Sequence, residues 1–573
     1  MNATAGVVSS SKALSVAREF MDASNLTLVW DGNDVLTKAS DAPVFYVYNI
    51  SGGGWVIVSG DDCTTPILGY SDTGSFEVDD MPSNLKGWLG AIREDILSAR
   101  VDKAQATAEV KKLWSNPRPV ATKASAQKVL TTAQWSQGNP FNMYIKDYVT
   151  DSNGNPVTDL VTGCVATAMA IVLKYHGSPT SGTGTIGGYV TDRNKYNVGT
   201  VELGHTYNWE SMPDILNSNS PETQRQAVAQ LMLECGLMVH MDYIDSSYGS
   251  SAYSEDILPA LTEHMGYSKA ATLKYKANYS SRDWMQMVMT EIDGNRPVLY
   301  GGSGNAGGHQ FVCDGYDADN NTIHINWGWY GNYNGYFTTS LYISGRNMSF
   351  DEGQDAIFGL KPAETGESEP GQELCLTSLP DFGYGFELAS GTVEKGSEFV
   401  LYVGAVYQGS GSDYEGTLAI AHVDKYGNNK EFIGSATYTG DHAIASKMLY
   451  KPGFGCRITE DIEFGDRLAL WYQTGTDSWA PALVPKEDLS YPWEYACFDV
   501  CAIKTKKTYS AGEVFDFTII PGNTGISSIA WKYDGASTQD DYVVLTSGTH
   551  TITAQVNFVD DTSETITQVI SVQ

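Results

Sequence analysis

The sequence predicts a multidomain α+β chain whose last third is all β, and three observations carry that prediction. At 573 residues the chain exceeds what a single core organises, so three or four domains are expected. Up to about residue 362, helical periodicity alternates with short apolar strand-like runs. Beyond residue 373, strand signals separated by turn residues dominate. With 42% hydrophobic and 18% charged residues, the composition is that of a packed globular protein.

Taken in order, "SSSKALSVAREFMDAS" predicts an N-terminal helix with a serine cap. "PVFYVYNISGGGWVIVSGDD" predicts two strands joined at Ser51-Gly52-Gly53-Gly54. "SNLKGWLGAIREDILSARVDKAQATAEVKKLW" reads as a long amphipathic helical stretch. "SNPRPVATKASAQKV" (115–129), with two prolines, small residues and several basic residues, reads as an exposed linker and a cleavage segment. Residues 130–362 hold most of the aromatic residues and clustered glycines. "PAETGESEPGQE" (362–373) reads as a second linker, polar and rich in proline and glycine. The segments "SEFVLYVGAVYQG", "GTLAIAHVDKYGNN" and "DRLALWYQTG" predict one β-sandwich (Ig-like) domain over 363–503. "EVFDFTIIPG", "SIAWKYDG" and "HTITAQVNFVDD" predict a smaller one over 504–573.

A formal charge of −32, spread without any basic run, argues against binding to nucleic acid or to anionic membranes. It fits a solvated surface that repels other copies of the chain. No stretch approaches the roughly 18–20 continuous apolar residues of a membrane span. The start "MNATAGVVSSSKALS" has no apolar leader core, which predicts either a cytoplasmic protein or one whose leader has been removed. The eight cysteines form no CxxC pair, so neither a disulfide scaffold nor a zinc site is expected.

One cysteine stands where chemistry can be built. In "DLVTGCVATAMAIVLKYHGSP" (159–179), an apolar helix runs from Cys164 to Tyr175 and stops at Gly177 and Pro179. Cys164 falls on the first turn, where free N–H groups and the helix dipole favour a thiolate. Alone, this position fits core packing better than catalysis, because free cysteine is among the most buried residue types. A nucleophile also needs a base. The informative stretch is "GGHQFVCDGYDADNNTIHINWGWYGNYNGYF" (307–337), two apolar strands flanking the turn-like "DADNN". Folded about that turn, His309 comes roughly opposite Asn326, whose amide oxygen would fix the imidazole tautomer. Trp327 and Trp329 would shield that bond. His324, on the same strand face as Asn326, is the rival base, with no orienting partner evident in the sequence. His176 reads as serving the helix C-terminus, and the remaining histidines as structural or surface residues.

"QGNPFN" (137–142), "TGCVATAMA" (162–170), "LMVHMDY" (237–243), "GGHQFVCDGYD" (307–317) and "HINWGWYGNYNGYF" (324–337) together resemble the streptopain-like (C10) group of papain-fold cysteine peptidases. They occur in that family's order, over about 130–362. "GGGWVIVSGDDCTTPILGYSDTGSF" (52–76) is similar to the family's propeptide. The resemblance implies a propeptide over 1–118 and a papain-like peptidase domain over 119–362. It implies Cys164 as nucleophile, His309 as general base, and Gln137 as oxyanion donor with the Cys164 N–H. Asn326 and Trp327 match the pair supporting the histidine, Trp329 backs them, and Gly308 matches a position along which the substrate backbone runs. "YIDSSYGSSAYSE" (243–255) corresponds to a substrate-side loop, longer than the family's, with Ser250 and Ser251 as candidate substrate contacts. The family favours an apolar residue just before the one supplying the cleaved carbonyl. What the resemblance implies is a secreted or surface-associated endopeptidase that acts on proteins or peptides, needs no cofactor, and is held latent by its own propeptide. The β-rich tail lies outside the resemblance and could bind a cell-surface or extracellular ligand. Two other classes compete: an inactive peptidase-like adhesin, and a Cys/His/Asn transferase that passes the acyl group to amines. A further alternative is a first domain that acts as a free inhibitor of other peptidases.

Overall fold

The structure, a computed structural model, describes residues 6–32, 42–101, 104, 106–117, 128–244, 249–304, 307–341, 353–365, 373–376, 385–404, 406–408, 413–445, 450–484, 493–497, 501–506, 508–520, 522, 525–538, 542–558 and 562–573. The cleavage segment expected over 115–129 therefore lies largely outside the described residues.

Helix α1 (Ser10–Met21) starts where the Ser9 hydroxyl accepts from the Lys12 N–H, as the serine run predicts. Strand β1 (Leu26–Trp30) leads into the expected hairpin, β2 (Phe45–Ile50) and β3 (Trp55–Ser59), and β4 (Ile67–Ser71) follows. The helical stretch expected next holds two helices, α2 (Ser83–Val101) and α3 (Ala108–Ser115). The break has a local cause. The Thr107 hydroxyl accepts from the Val110 N–H at 3.0 Å, so the threonine caps a new helix instead of continuing the old one.

After the N-terminal segment come helices α4 (Cys164–His176), α5 (Glu222–Met238), α6 (Ile257–His264) and α7 (Ser281–Asp293). The strands are β5 (Thr272–Tyr275), β6 (Val298–Gly304), β7 (Gly307–Asp317), β8 (Thr322–Asn326), β9 (Gly335–Thr338) and β10 (Gln354–Phe358). All ten strands belong to one sheet, in the order β1-β2-β3-β4-β9-β8-β7-β6-β10-β5. The seam between the N-terminal segment and the rest is the β4–β9 pair, with Tyr336 opposite Tyr70 and Phe337 opposite Gly69. One core packs α2 and α7 over one face of this sheet around Trp88, Trp284, Tyr300, Phe311 and Trp327. Another gathers α4, α5 and α6 over Leu299, Val312 and Ile357, which alternation turns to the opposite face.

The β7–β8 register corrects the sequence reading. Val312, not His309, lies opposite Asn326, and a bulge falls between Cys313 and Gly315. The turn itself falls within "DADNN" as expected, closed by the Asp317–Thr322 pair, and folding about its centre places residue 312, three positions beyond His309, opposite Asn326.

The last third is strand-rich, as expected. Gly416–Val423 pairs with Asn429–Tyr438 and Arg467–Thr474, and a second sheet joins Phe386–Gly391, Glu398–Val403 and Gly453–Arg457. Leu401, Leu418, Ile458 and Leu470 share a core between them. A further core forms around Phe515, Trp531 and Ile552 near the C-terminus. The second linker is not wholly exposed. Glu373 accepts from Tyr279 Oη at 2.9 Å and pairs with Lys274, while Cys375 is buried in the α4–α5 core.

At the β4–β9 seam, buried Tyr70 donates to Asp317 Oδ2 at 2.6 Å. Replacing Tyr70 by Phe leaves that carboxylate short of a donor, at a cost of about 1–3 kcal/mol. Thermal unfolding of the uncut chain should therefore occur at a temperature several degrees lower, measurable by calorimetry.

Candidate active site

Helix α4 begins at Cys164 because Gly163 holds φ +87, and a β-carbon there would sit 2.6 Å from Met241 Sδ. Gly177, also left-handed, ends the helix and donates to Leu173 O and Lys174 O. The "QGNPFN" turn is bound to the approach to α4: Thr162 N donates to Gln137 O at 3.1 Å, and Asn142 Nδ2 to Leu160 O at 2.8 Å. Gln137 is thus buried beside the helix start. Strand β7 reaches the same point, where Gln310 N donates to Cys164 Sγ at 3.5 Å.

His309, one residue earlier, lies on the sheet face covered by α2. A β-carbon on Gly87 of that helix would fall 2.5 Å from His309 Cδ2 and 2.6 Å from Nε2, so the imidazole rests directly on the helix backbone. His309 Nε2 is buried there without a hydrogen-bond partner. Burial pushes its pKa down to about 4. The Cys164 thiol is pushed up, because desolvation outweighs its N–H donors. The helix start alone predicted a stabilised thiolate. In the covered chain, burial wins.

Helix α2 holds the rest of this wall as well. Asn84 Nδ2 donates to Trp327 O at 2.8 Å, and Trp88 packs edge-on against Phe311 and Trp327. Asn326 donates through Nδ2 to Ala133 O at 2.9 Å and to Thr131 Oγ1 at 3.2 Å, and its Oδ1 accepts from Gly328 N. Trp329 is half-buried against the α2 core. Gly308 is exposed, opposite Ser303. Ser250 is buried, its hydroxyl engaged by Val161 O and Ile244 N, so it braces the loop, whereas Ser251 is exposed and pairs its backbone with Asp242. Residues 245–248 of that loop lie outside the described residues.

The rival base has a partner after all. His324 Nδ1 lies 2.5 Å from Asp314 Oδ1, and the same carboxylate accepts from Thr131. His324 nevertheless pairs with Gly315, five residues along β7 from Gln310, or about 16 Å at strand rise. It therefore cannot serve Cys164. Cys235 and Cys313 are fully buried, and their thiols are pushed well above the ordinary range. Sequence reasoning missed Gly87 and Gln310. For Gly87 a signal existed, since a glycine inside a helix costs about 1 kcal/mol relative to alanine and implies a close approach.

A thiol at a helix start, a histidine on the adjoining strand and a separate N-terminal unit seated on that histidine define an inhibited cysteine peptidase. A family model described as Peptidase C10 family matches residues 135–337, and one described as Spi protease inhibitor matches residues 5–96. Streptopain of Streptococcus pyogenes serotype M28 is 34% identical over 335 residues, covering 55% of this chain and 80% of that protein. The thiol protease/hemagglutinin PrtT of Porphyromonas gingivalis is 30% identical over 380 residues, covering 63% of this chain and 42% of PrtT. A solved mutant fragment of prointerpain A from Prevotella intermedia aligns with TM-score 0.47 and 30% identity, over 59% of this chain and 100% of the fragment. The chain belongs to the C10 family of cysteine peptidases and is a cysteine endopeptidase made as a zymogen.

Two outcomes follow from the α2–His309 contact. Gly87→Ala forces the helix or the imidazole to move, at about 1–3 kcal/mol. The N-terminal segment should then be released about 5- to 100-fold more readily, seen as faster hydrolysis of a fluorogenic peptide by freshly prepared chain. The second outcome concerns pH. Free imidazole takes up a proton near its ordinary 6.5, and the buried one only near 4. The contact is therefore at full strength above pH 6.5 and weakens as pH falls toward 4. Hydrogen exchange in α2 of the Cys164→Ala chain, corrected for intrinsic rate, should be faster at pH 5 than at pH 7.

Proposed function

We propose that Cys164 and His309 form the working pair of this peptidase once α2 has left, acting on protein and peptide substrates. The observation that carries this reading is the junction at Cys164: a helix N-terminus supplying N–H groups, and β7 bringing Gln310 N to the sulfur with His309 next in line. Freed from Gly87, the imidazole regains solvent and an ordinary basicity, and takes the thiol proton to give a thiolate–imidazolium pair. The thiolate attacks the substrate carbonyl. The oxyanion is met by the Cys164 N–H and the Gln137 amide, each donor being worth about 10²–10³ in rate. His309 returns the proton to the leaving amine, and water then hydrolyses the thioester. Asn326 and Trp327 hold the wall beside the histidine, Trp329 backs it, and the exposed Gly308 lets a substrate backbone pass.

In this reading the propeptide spans 1–118 and the papain-like domain 119–362. Cleavage between Lys112 and Lys128 separates them. The strands beyond form two β-sandwich (Ig-like) domains, 363–503 and 504–573, which would present the enzyme to a cell-surface or extracellular ligand. Secretion fits the resemblance to the streptopain group.

Mass spectrometry of the chain on standing, with and without a thiol-directed epoxide, tests the scheme. The wild-type chain should lose its N-terminal segment and carry the label on Cys164, while Cys164→Ala does neither. A label on Cys235 or Cys313 would overturn the assignment.

A further inference from the structure

Strand alternation turns the Gln310 side chain away from the face that carries His309, the residue that serves the leaving amine. It points instead to the acyl side of Cys164, into a group of polar residues that the chemistry above does not use. Gln310 is 2% exposed; its Oε1 accepts from Ser254 Oγ at 3.1 Å, and the same hydroxyl lies 3.2 Å from Asp355 Oδ2. Gly301 stands directly opposite both Gln310 and Asp355 in the sheet. A β-carbon at Gly301 would fall 2.5 Å from Asp355 Oδ1, so the glycine leaves the space that the carboxylate fills.

Two atoms of this group are left without partners: Gln310 Nε2 and Asp355 Oδ1 are both buried with no hydrogen bond. Such groups are costly and call for a ligand or another explanation. Burial, then the neighbouring Glu255, pushes the Asp355 pKa up to about 7. Glu255 itself accepts from Tyr275 Oη at 2.7 Å, so it is already engaged. Among the described residues, no lysine or arginine forms an ion pair with Asp355. A cation brought by a ligand would meet two carboxylates there.

We propose that Gln310, Ser254 and Asp355 form a side-chain pocket that selects a lysine or arginine in the substrate, at the residue just before the one supplying the cleaved carbonyl. An extended substrate alternates its side chains. The carbonyl donor lies over Cys164, and its predecessor turns toward the Gln310–Gly301–Asp355 row. The basic head is a donor for Asp355, and the pocket amide and hydroxyl complete its shell. The net charge of −32 raises the local concentration of basic peptides in the same sense. This departs from the apolar preference that the family resemblance implies, and it rests on Cys164 being the nucleophile.

The test uses the full-length chain, allowed to process itself, with paired fluorogenic peptides that differ only in Arg or Leu at that position. The wild-type chain should give the higher kcat/KM with Arg. Asp355→Asn should lower the Arg-to-Leu ratio about 10- to 100-fold, the loss of one charge-assisted hydrogen bond. Ser254→Ala, a smaller change, should lower the ratio in the same direction, which guards against a misfolded Asp355 variant. Preference for Leu in the wild type, or an unchanged ratio in both variants, overturns the pocket while hydrolysis and epoxide labelling of Cys164 leave the peptidase reading intact. Hydrolysis of neither peptide, with no label on Cys164, overturns both.

Discussion

A single missing β-carbon sets the state of this molecule. Because Gly87 has no side chain, α2 lies directly on the His309 ring. The same helix lends Asn84 to Trp327 O and packs Trp88 edge-on against Phe311 and Trp327. The burial of the His309 ring follows from that contact. The histidine is held neutral because burial desolvates its cation, and the thiol is held protonated because burial outweighs the N–H donors around it. On the proposed reading, inhibition is as much electrostatic as steric: the helix removes the solvent that a Cys164–His309 ion pair needs.

The sheet distributes that constraint. His309 and Gln310 are consecutive residues of β7 with opposite faces. One strand therefore delivers an imidazole to the α2 side and a backbone donor and amide to the thiol's side. Asp314, further along the same strand, binds Thr131 and His324. Thr131 in turn, with Ala133 O, holds the Asn326 amide. The buried carboxylate thus fixes the chain entering the peptidase domain and the strand next to the histidine together.

Much of this was legible in the sequence where the signals are local. The Ser9 cap, the glycine-joined hairpin, the glycine stop of α4 and the placement of Cys164 on its first turn all depend on residues a few positions apart. The failures are non-local or depend on a single inserted residue. Asn326 comes opposite Val312 and not His309, in a register that includes a one-residue bulge between Cys313 and Gly315. Thr107 split an otherwise continuous helical pattern. The partner of His324 lies on the neighbouring strand, and Asp355 is brought to Gln310 only by the sheet order. Glu373 sits in a stretch whose composition reads as linker, yet Lys274 and Tyr279 hold it against the peptidase.

The β4–β9 pairing has a consequence for the mature enzyme. Of the ten strands in the sheet, β1 to β4 lie in the stretch matched by the protease-inhibitor model, and cleavage as proposed would leave six. Strand β9 then passes from the interior of a sheet to its rim. Its backbone groups opposite Gly69 and Tyr70 lose their partners, and the ring of Tyr336 loses the stacked ring of Tyr70. Activation therefore does more than open a cleft. It creates a new strand border, open to water or to another extended chain, on a surface that did not exist in the precursor.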